Sequence, residues 1–145
     1  EQLPNEEFEI LCAGYTDLLR RTGDAGIQLL FENHWGPSVI PDNVVKLIKA
    51  LPKLGLLLDS FNWKYGHQPE GWLKCARYAK STHLKSFAFT KAGEELTQNL
   101  PAFIQLVQSV GYKGAWGVES VPLDGKEIEA ARKTIALIKR TVKGR

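Results

Sequence analysis

Four residues of this 145-residue chain could share one piece of chemistry: Glu32, Asp59, His83 and Glu119. Each lies in or directly after a short apolar run, as in Leu29-Leu30-Phe31-Glu32, Leu56-Leu57-Leu58-Asp59, Thr82-His83-Leu84 and Gly117-Val118-Glu119. Brought together without a counter-charge, three carboxylates repel and some take up protons; a divalent cation removes that repulsion. Carboxylate oxygens with one imidazole nitrogen suit manganese, zinc, cobalt or magnesium, and give no reason to expect copper or an iron–sulfur cluster. Taken singly the residues have plainer roles, since acids after strands cap the next helix and a strand histidine is commonly hydrogen-bonded in the core. Their recurrence at equivalent positions of successive units favours a shared site.

The elements that must position them follow from periodicity. Residues 6–21 place Phe8, Leu11, Cys12, Tyr15, Leu18 and Leu19 on one side at helical spacing, with Gly23 as the stop. Residues 26–31 read as a buried strand emptying into Glu32-Asn33-His34, and a helix follows from Pro41, with Asp42 in its first turn and Val44, Val45, Leu47, Ile48 and Leu51 inward. The unit then repeats. A strand over 54–58 is closed by Asp59, and a helix over 70–80 buries Trp72, Leu73, Ala76 and Ala79. A strand over 82–87 carries His83, and a helix over 100–110 follows Asn99 as its cap. A strand over 115–118 is closed by Glu119, and a helix over 126–142 turns Ile128, Ala131, Ile135 and Ile138 inward.

Strands alternating with helices force parallel pairing, because each helix carries the chain back before the next strand starts. The expected fold class is therefore α/β, with four parallel βα units after a leading helix and a sheet buried on both faces. Loops after parallel strands share one edge of the sheet, and ligands bind there. That edge is where all four candidate side chains fall.

Composition sets the outer limits. With 43% hydrophobic and 24% charged residues the chain is too apolar for disorder and too interrupted by charge for a membrane span. Nineteen basic residues against sixteen acidic ones give a net charge of +3, gathered weakly at Lys139, Arg140, Lys143 and Arg145. Acids are spread through the whole chain, so no nucleic-acid partner is expected. Cys12 and Cys75 form no Cys-x-x-Cys pair and read as reduced core thiols, which fits a cytoplasmic setting. The sequence begins at Glu1 without a methionine, so an upstream part is expected to be missing.

The words Phe31-Glu32-Asn33-His34-Trp35-Gly36, Leu58-Asp59-Ser60-Phe61-Asn62, His83-Leu84-Lys85-Ser86, and Gly111-Tyr112-Lys113-Gly114 leading to Gly117-Val118-Glu119 resemble the sugar phosphate isomerase/epimerase family of xylose isomerase-like barrels. The likeness runs from about residue 27 to residue 138. It implies a (β/α)₈ TIM barrel whose second half supplies the metal ligands, with Glu32, Asp59, His83 and Glu119 at the four ligand positions. It also implies that Glu32 and Glu119 are catalytic, facing opposite sides of a substrate carbon and moving its proton by way of an enediolate. A divalent ion holding the carbonyl and adjacent hydroxyl acts there as a Lewis acid.

The sequence departs from that pattern at two places that bear on substrate orientation. Asn62 stands where ketose epimerases often carry His, and Ser38 stands where they carry another Glu. Lys85 matches a family lysine and is either able to reach a carboxylate or a substrate hydroxyl or an ordinary strand-end lysine. His34, Trp35, Asn62 and Lys85 are the expected substrate contacts, with Phe61 and Trp63 as further rings that either wall the pocket or pack the loop.

A full barrel takes about 250 residues. The chain is therefore expected to be a single domain over 1–145 that forms the C-terminal half of such a barrel, pairing with another copy or with a missing N-terminal half-barrel. The function expected is a metal-dependent isomerase or epimerase of a sugar or sugar derivative. A dehydratase of sugar acids or polyols, and a catalytically incompetent half-barrel serving as a binding or assembly module, are the alternatives.

Overall fold

The structure, a computed structural model, describes residues 2–143. Glu1 and Arg145, the latter part of the basic C-terminal cluster, lie outside the described residues.

The chain opens with helix α1 (Asn5–Asp24) and then alternates β1 (Leu30–Glu32), α2 (Pro41–Ala50), β2 (Gly55–Asp59), α3 (Gln68–Cys75), β3 (Ala79–Ser86), α4 (Leu100–Ser109), β4 (Ala115–Ser120) and α5 (Glu127–Lys143). The strands form one sheet in the order β1-β2-β3-β4, and every neighbouring pair is parallel. These are four parallel βα units after a leading helix, as the alternation predicts, and they make up the half of a (β/α)₈ barrel that the resemblance implies. No helix among the described residues is long and apolar enough to cross a membrane.

Local chemistry starts the helices where they are needed. Pro41 opens α2 at a position whose N–H would be unpaired in any case, with Asp42 beside the positive end of the helix dipole. Asn99 caps α4 through a bond that its Oδ1 accepts from the Ala102 N–H at 3.1 Å, as expected.

The helices cover one face of the sheet. Leu56, Leu58 and Leu84 point into that layer and are fully buried against Val44, Leu47, Phe103, Val107 and Leu137. Trp72 and Phe103 pack ring on ring at 5.2 Å between α3 and α4, and Tyr15 of α1 stands edge-on to Phe31 of β1 at 5.9 Å.

The other face departs from the expectation of a sheet buried on both sides. Leu57, Ser81, His83, Gly117 and Glu119 alternate onto it and are only partly buried, because four strands curve round half a lumen and nothing in the described residues closes over it. The first strand is also shorter than the expected 26–31. β1 is an edge strand with β2 as its one neighbour, pairing begins at Leu30 opposite Gly55, and Ile27 is left 61% exposed.

The helix expected over 70–80 ends at Cys75. A 3-10 turn over Ala76–Tyr78 follows, and β3 starts at Ala79 instead of 82 because Ala79, Ser81 and Thr82 are taken up as ladder partners of β2. Leu73, expected inward, faces solvent. In α5 the buried stripe is Ala130, Thr134, Leu137 and Ile138, whereas Ile128 and Ile135 are exposed. Thr134 is inward because its hydroxyl joins those of Ser86 and Ser120 in a buried cluster.

Candidate metal centre

The pleat of a strand sends every second side chain to the same face. On β3 this aims His83 and Lys85 together at the open face, and the register sets Asp59 beside His83 and Glu119 beside Lys85. Glu32 ends β1 on the same side. The four sequence candidates Glu32, Asp59, His83 and Glu119 thus converge, each offering a ligand atom, with all these atoms within 4.8 Å of one another.

His83 Nδ1 is the hub of the cluster, 3.0 Å from Glu32 Oε1 and 3.3 Å from Glu119 Oε2. Its ring is held close to β4 by an absence: a Cβ on Gly117 would run into the Thr82 carbonyl oxygen and come within 3.0 Å of the His83 ring. Glycine is therefore required opposite the histidine.

Asp59 is fully buried, and the two oxygens of its carboxylate have different fates. Oδ1 accepts hydrogen bonds from the Phe61 and Asn62 N–H groups at 2.7 and 2.8 Å. Oδ2 is buried with no hydrogen-bond partner. Burial pushes the Asp59 carboxyl up to about 6, opposed by the two backbone donors and by Lys85. An orphaned carboxylate oxygen among two glutamates and an imidazole fits a divalent cation bound by oxygen and nitrogen, and fits a purely structural hydrogen-bond network poorly.

Lys85, an expected substrate contact, is built into the acid cluster. Its Nζ lies 3.0 Å from Glu119 Oε1, 2.9 Å from Asn62 Oδ1 and 3.9 Å from Asp59 Oδ2. Asn62 accordingly binds the lysine. His34 and Trp35 meet edge to face at 4.7 Å and line a groove of about 480 Å³ that reaches Glu32. Trp35 is 78% exposed. Phe61 pairs with Phe87 at 4.7 Å near the same edge. Trp63 is buried and lies flat against Gly71, where even a Cβ would collide with its ring, so it packs the loop.

Two supporting residues escaped the sequence reading. Asn33 is fully buried, donates through Nδ2 to the Asp59 carbonyl at 3.1 Å and accepts from the Asp59 N–H through Oδ1 at 2.8 Å. It continues the ladder between β1 and β2 by side chain after the strand has ended. Ser60 accepts through Oγ from the Lys85 N–H, and its own N–H donates to the His83 carbonyl. The signal for Asn33 was its place directly after Glu32; nothing in the sequence singles out Ser60.

A parallel α/β half-barrel with a carboxylate and imidazole cluster on the strands' C-terminal edge belongs, by class, with the barrel enzymes whose sites are built from βα loops. The family model for the xylose isomerase-like TIM barrel matches residues 1–141, and the chain belongs to that family. Its fold is thus a sugar-processing enzyme fold. No curated protein matches the chain.

Proposed function

We propose that the chain carries the metal-binding half of an isomerase or epimerase acting on a sugar or sugar derivative, with Glu32, Asp59, His83 and Glu119 as ligands and Glu32 and Glu119 as the proton-transferring pair. The observation that carries this reading is the convergence of four side chains from four successive strands, with Asp59 Oδ2 buried among them without a hydrogen bond. A divalent cation such as manganese, zinc, cobalt or magnesium supplies Lewis acidity toward a carbonyl and its neighbouring hydroxyl.

The chain's own residues do the rest. Glu32 and Glu119 come from the two outer strands of the sheet and reach the same nitrogen of His83 at 3.0 and 3.3 Å. A substrate carbon lying over the histidine has a carboxylate on either side, one to take a proton and one to return it. His34 and Trp35, beside Glu32, offer an imidazole and a flat ring to the sugar.

Residues 1–145 then act as the second half of the barrel, and the open face is completed by a further set of strands, from another chain or from the remainder of a longer one. That same open face favours a second reading, a half-barrel that binds a cation and serves as an assembly module without turnover. Proton exchange separates them. Incubating aldoses and ketoses with the Mn²⁺-loaded protein in D₂O and following the C–H next to the carbonyl by NMR should show exchange that EDTA abolishes and Glu119→Gln removes. Exchange absent from every sugar tested supports the assembly module.

A further inference from the structure

Lys85 places a positive charge inside a centre otherwise built for a cation. It is 7% exposed, and its backbone is fixed on both sides, its N–H donating to Ser60 Oγ at 3.1 Å and its carbonyl accepting from Gln98 Nε2 at 2.7 Å. An ammonium has three hydrogens to give. Two are spent on Glu119 Oε1 at 3.0 Å and Asn62 Oδ1 at 2.9 Å, and the group stands 3.9 Å from Asp59 Oδ2. A lysine so enclosed and so engaged is poorly placed to bind a substrate hydroxyl.

Its effect falls on the carboxylates. With Oε1 held by Lys85, Glu119 turns Oε2 toward His83 and the centre. Asp59 is restricted in the same way by its backbone bonds, which hold Oδ1 and leave Oδ2 facing inward. Each acid is thereby presented as a donor of one oxygen. Resting on the metal-centre reading above, we infer that Lys85 is a positioning residue that keeps Glu119 a single-oxygen ligand, weakening cation binding and leaving coordination positions free for substrate oxygens. Catalytic metal sites keep such open positions, whereas sites filled by protein ligands are structural.

Two physical effects then act in one direction when the charge is removed. The ammonium no longer repels a divalent ion a few ångströms away, and Glu119 becomes free to offer both oxygens. A lysine serving the fold alone would leave cation affinity unchanged or lower it on removal.

The test is calorimetric titration of the full chain with Mn²⁺, comparing wild type with Lys85→Met and Lys85→Gln, each checked for folding by circular dichroism. The glutamine keeps a neutral donor, so a folded variant is retained if the methionine variant unfolds. Mn²⁺ should bind about tenfold tighter in the folded variants, and the visible absorption of bound Co²⁺ should weaken as its coordination number rises. Unchanged or weaker Mn²⁺ binding overturns the role of Lys85 and leaves the metal centre standing. No saturable Mn²⁺ binding by wild type overturns both.

Discussion

His83 on β3 reaches Glu32 on β1, with Nδ1 and Oε1 3.0 Å apart, although β2 lies between their strands. Strands two places apart in a sheet are separated by roughly 10 Å, so the contact requires side chains that lean inward over β2. That is the geometry of a barrel wall seen from its lumen, and it is how three carboxylates reach one imidazole.

Asp59 is the proposed ligand whose removal is easiest to interpret. Asp59→Asn replaces a buried carboxylate with an isosteric neutral group, so thermal unfolding of the metal-free protein at pH 8 should show no loss of stability. Mn²⁺ should stabilise wild type against unfolding and the variant much less, because binding to the native state alone raises stability with ligand concentration. A metal-induced shift of equal size in both proteins would remove Asp59 from the ligand set.

Gly117→Ala tests the close approach of β3 and β4. The new Cβ would meet the Thr82 carbonyl and the His83 ring, and overpacking of this kind costs about 1–3 kcal/mol. Chemical denaturation should show that loss, together with weaker Mn²⁺ binding as the histidine is pushed aside. Wild-type stability and affinity would show that the strands have room.

Asn33→Ala tests the side-chain bridge between β1 and β2. It strips the Asp59 N–H and carbonyl of their partners in a buried setting, which costs about 1–3 kcal/mol per unsatisfied group. Denaturant midpoints report the loss. An unchanged midpoint would mean that the Asp59 backbone finds other partners.

The two thiols should behave differently toward a disulfide reagent. Burial pushes the Cys75 thiol up to about 12 from its ordinary 9.0, so at pH 8 it should stay unreactive until the protein unfolds, whereas half-buried Cys12 reacts sooner. The sign of the linkage follows. The unfolded chain ionises near 9.0 and the folded one near 12, so stability from this group is complete below pH 9 and declines as pH rises from 9 toward 12. Equal labelling of both cysteines in the native protein would contradict this burial.

Much of the site was legible because its residues are spaced by whole βα units: a polar side chain at the end of each apolar run can meet its counterparts only if the strands lie side by side. What the sequence hid were contacts that depend on a neighbour. Ile128 and Ile135 read as core by helical spacing, yet the buried face of α5 is rotated toward Thr134 by hydroxyl partners on β3 and β4. The end of α3 was missed because Ala76–Tyr78 has no breaker; strand pairing, not helix propensity, decides where β3 begins. Nothing local to Lys85 shows that Glu119 and Asn62 hold its ammonium.

Equilibrium dialysis against Mn²⁺, with metal analysis of the purified chain, decides whether one cation is held by four side chains from four strands. Wild type should retain one ion per chain, and the double variant Asp59→Asn/His83→Ala should retain none while keeping its helical circular dichroism. Equal metal content in the two proteins, or none in wild type, would mean that these four side chains hold no cation.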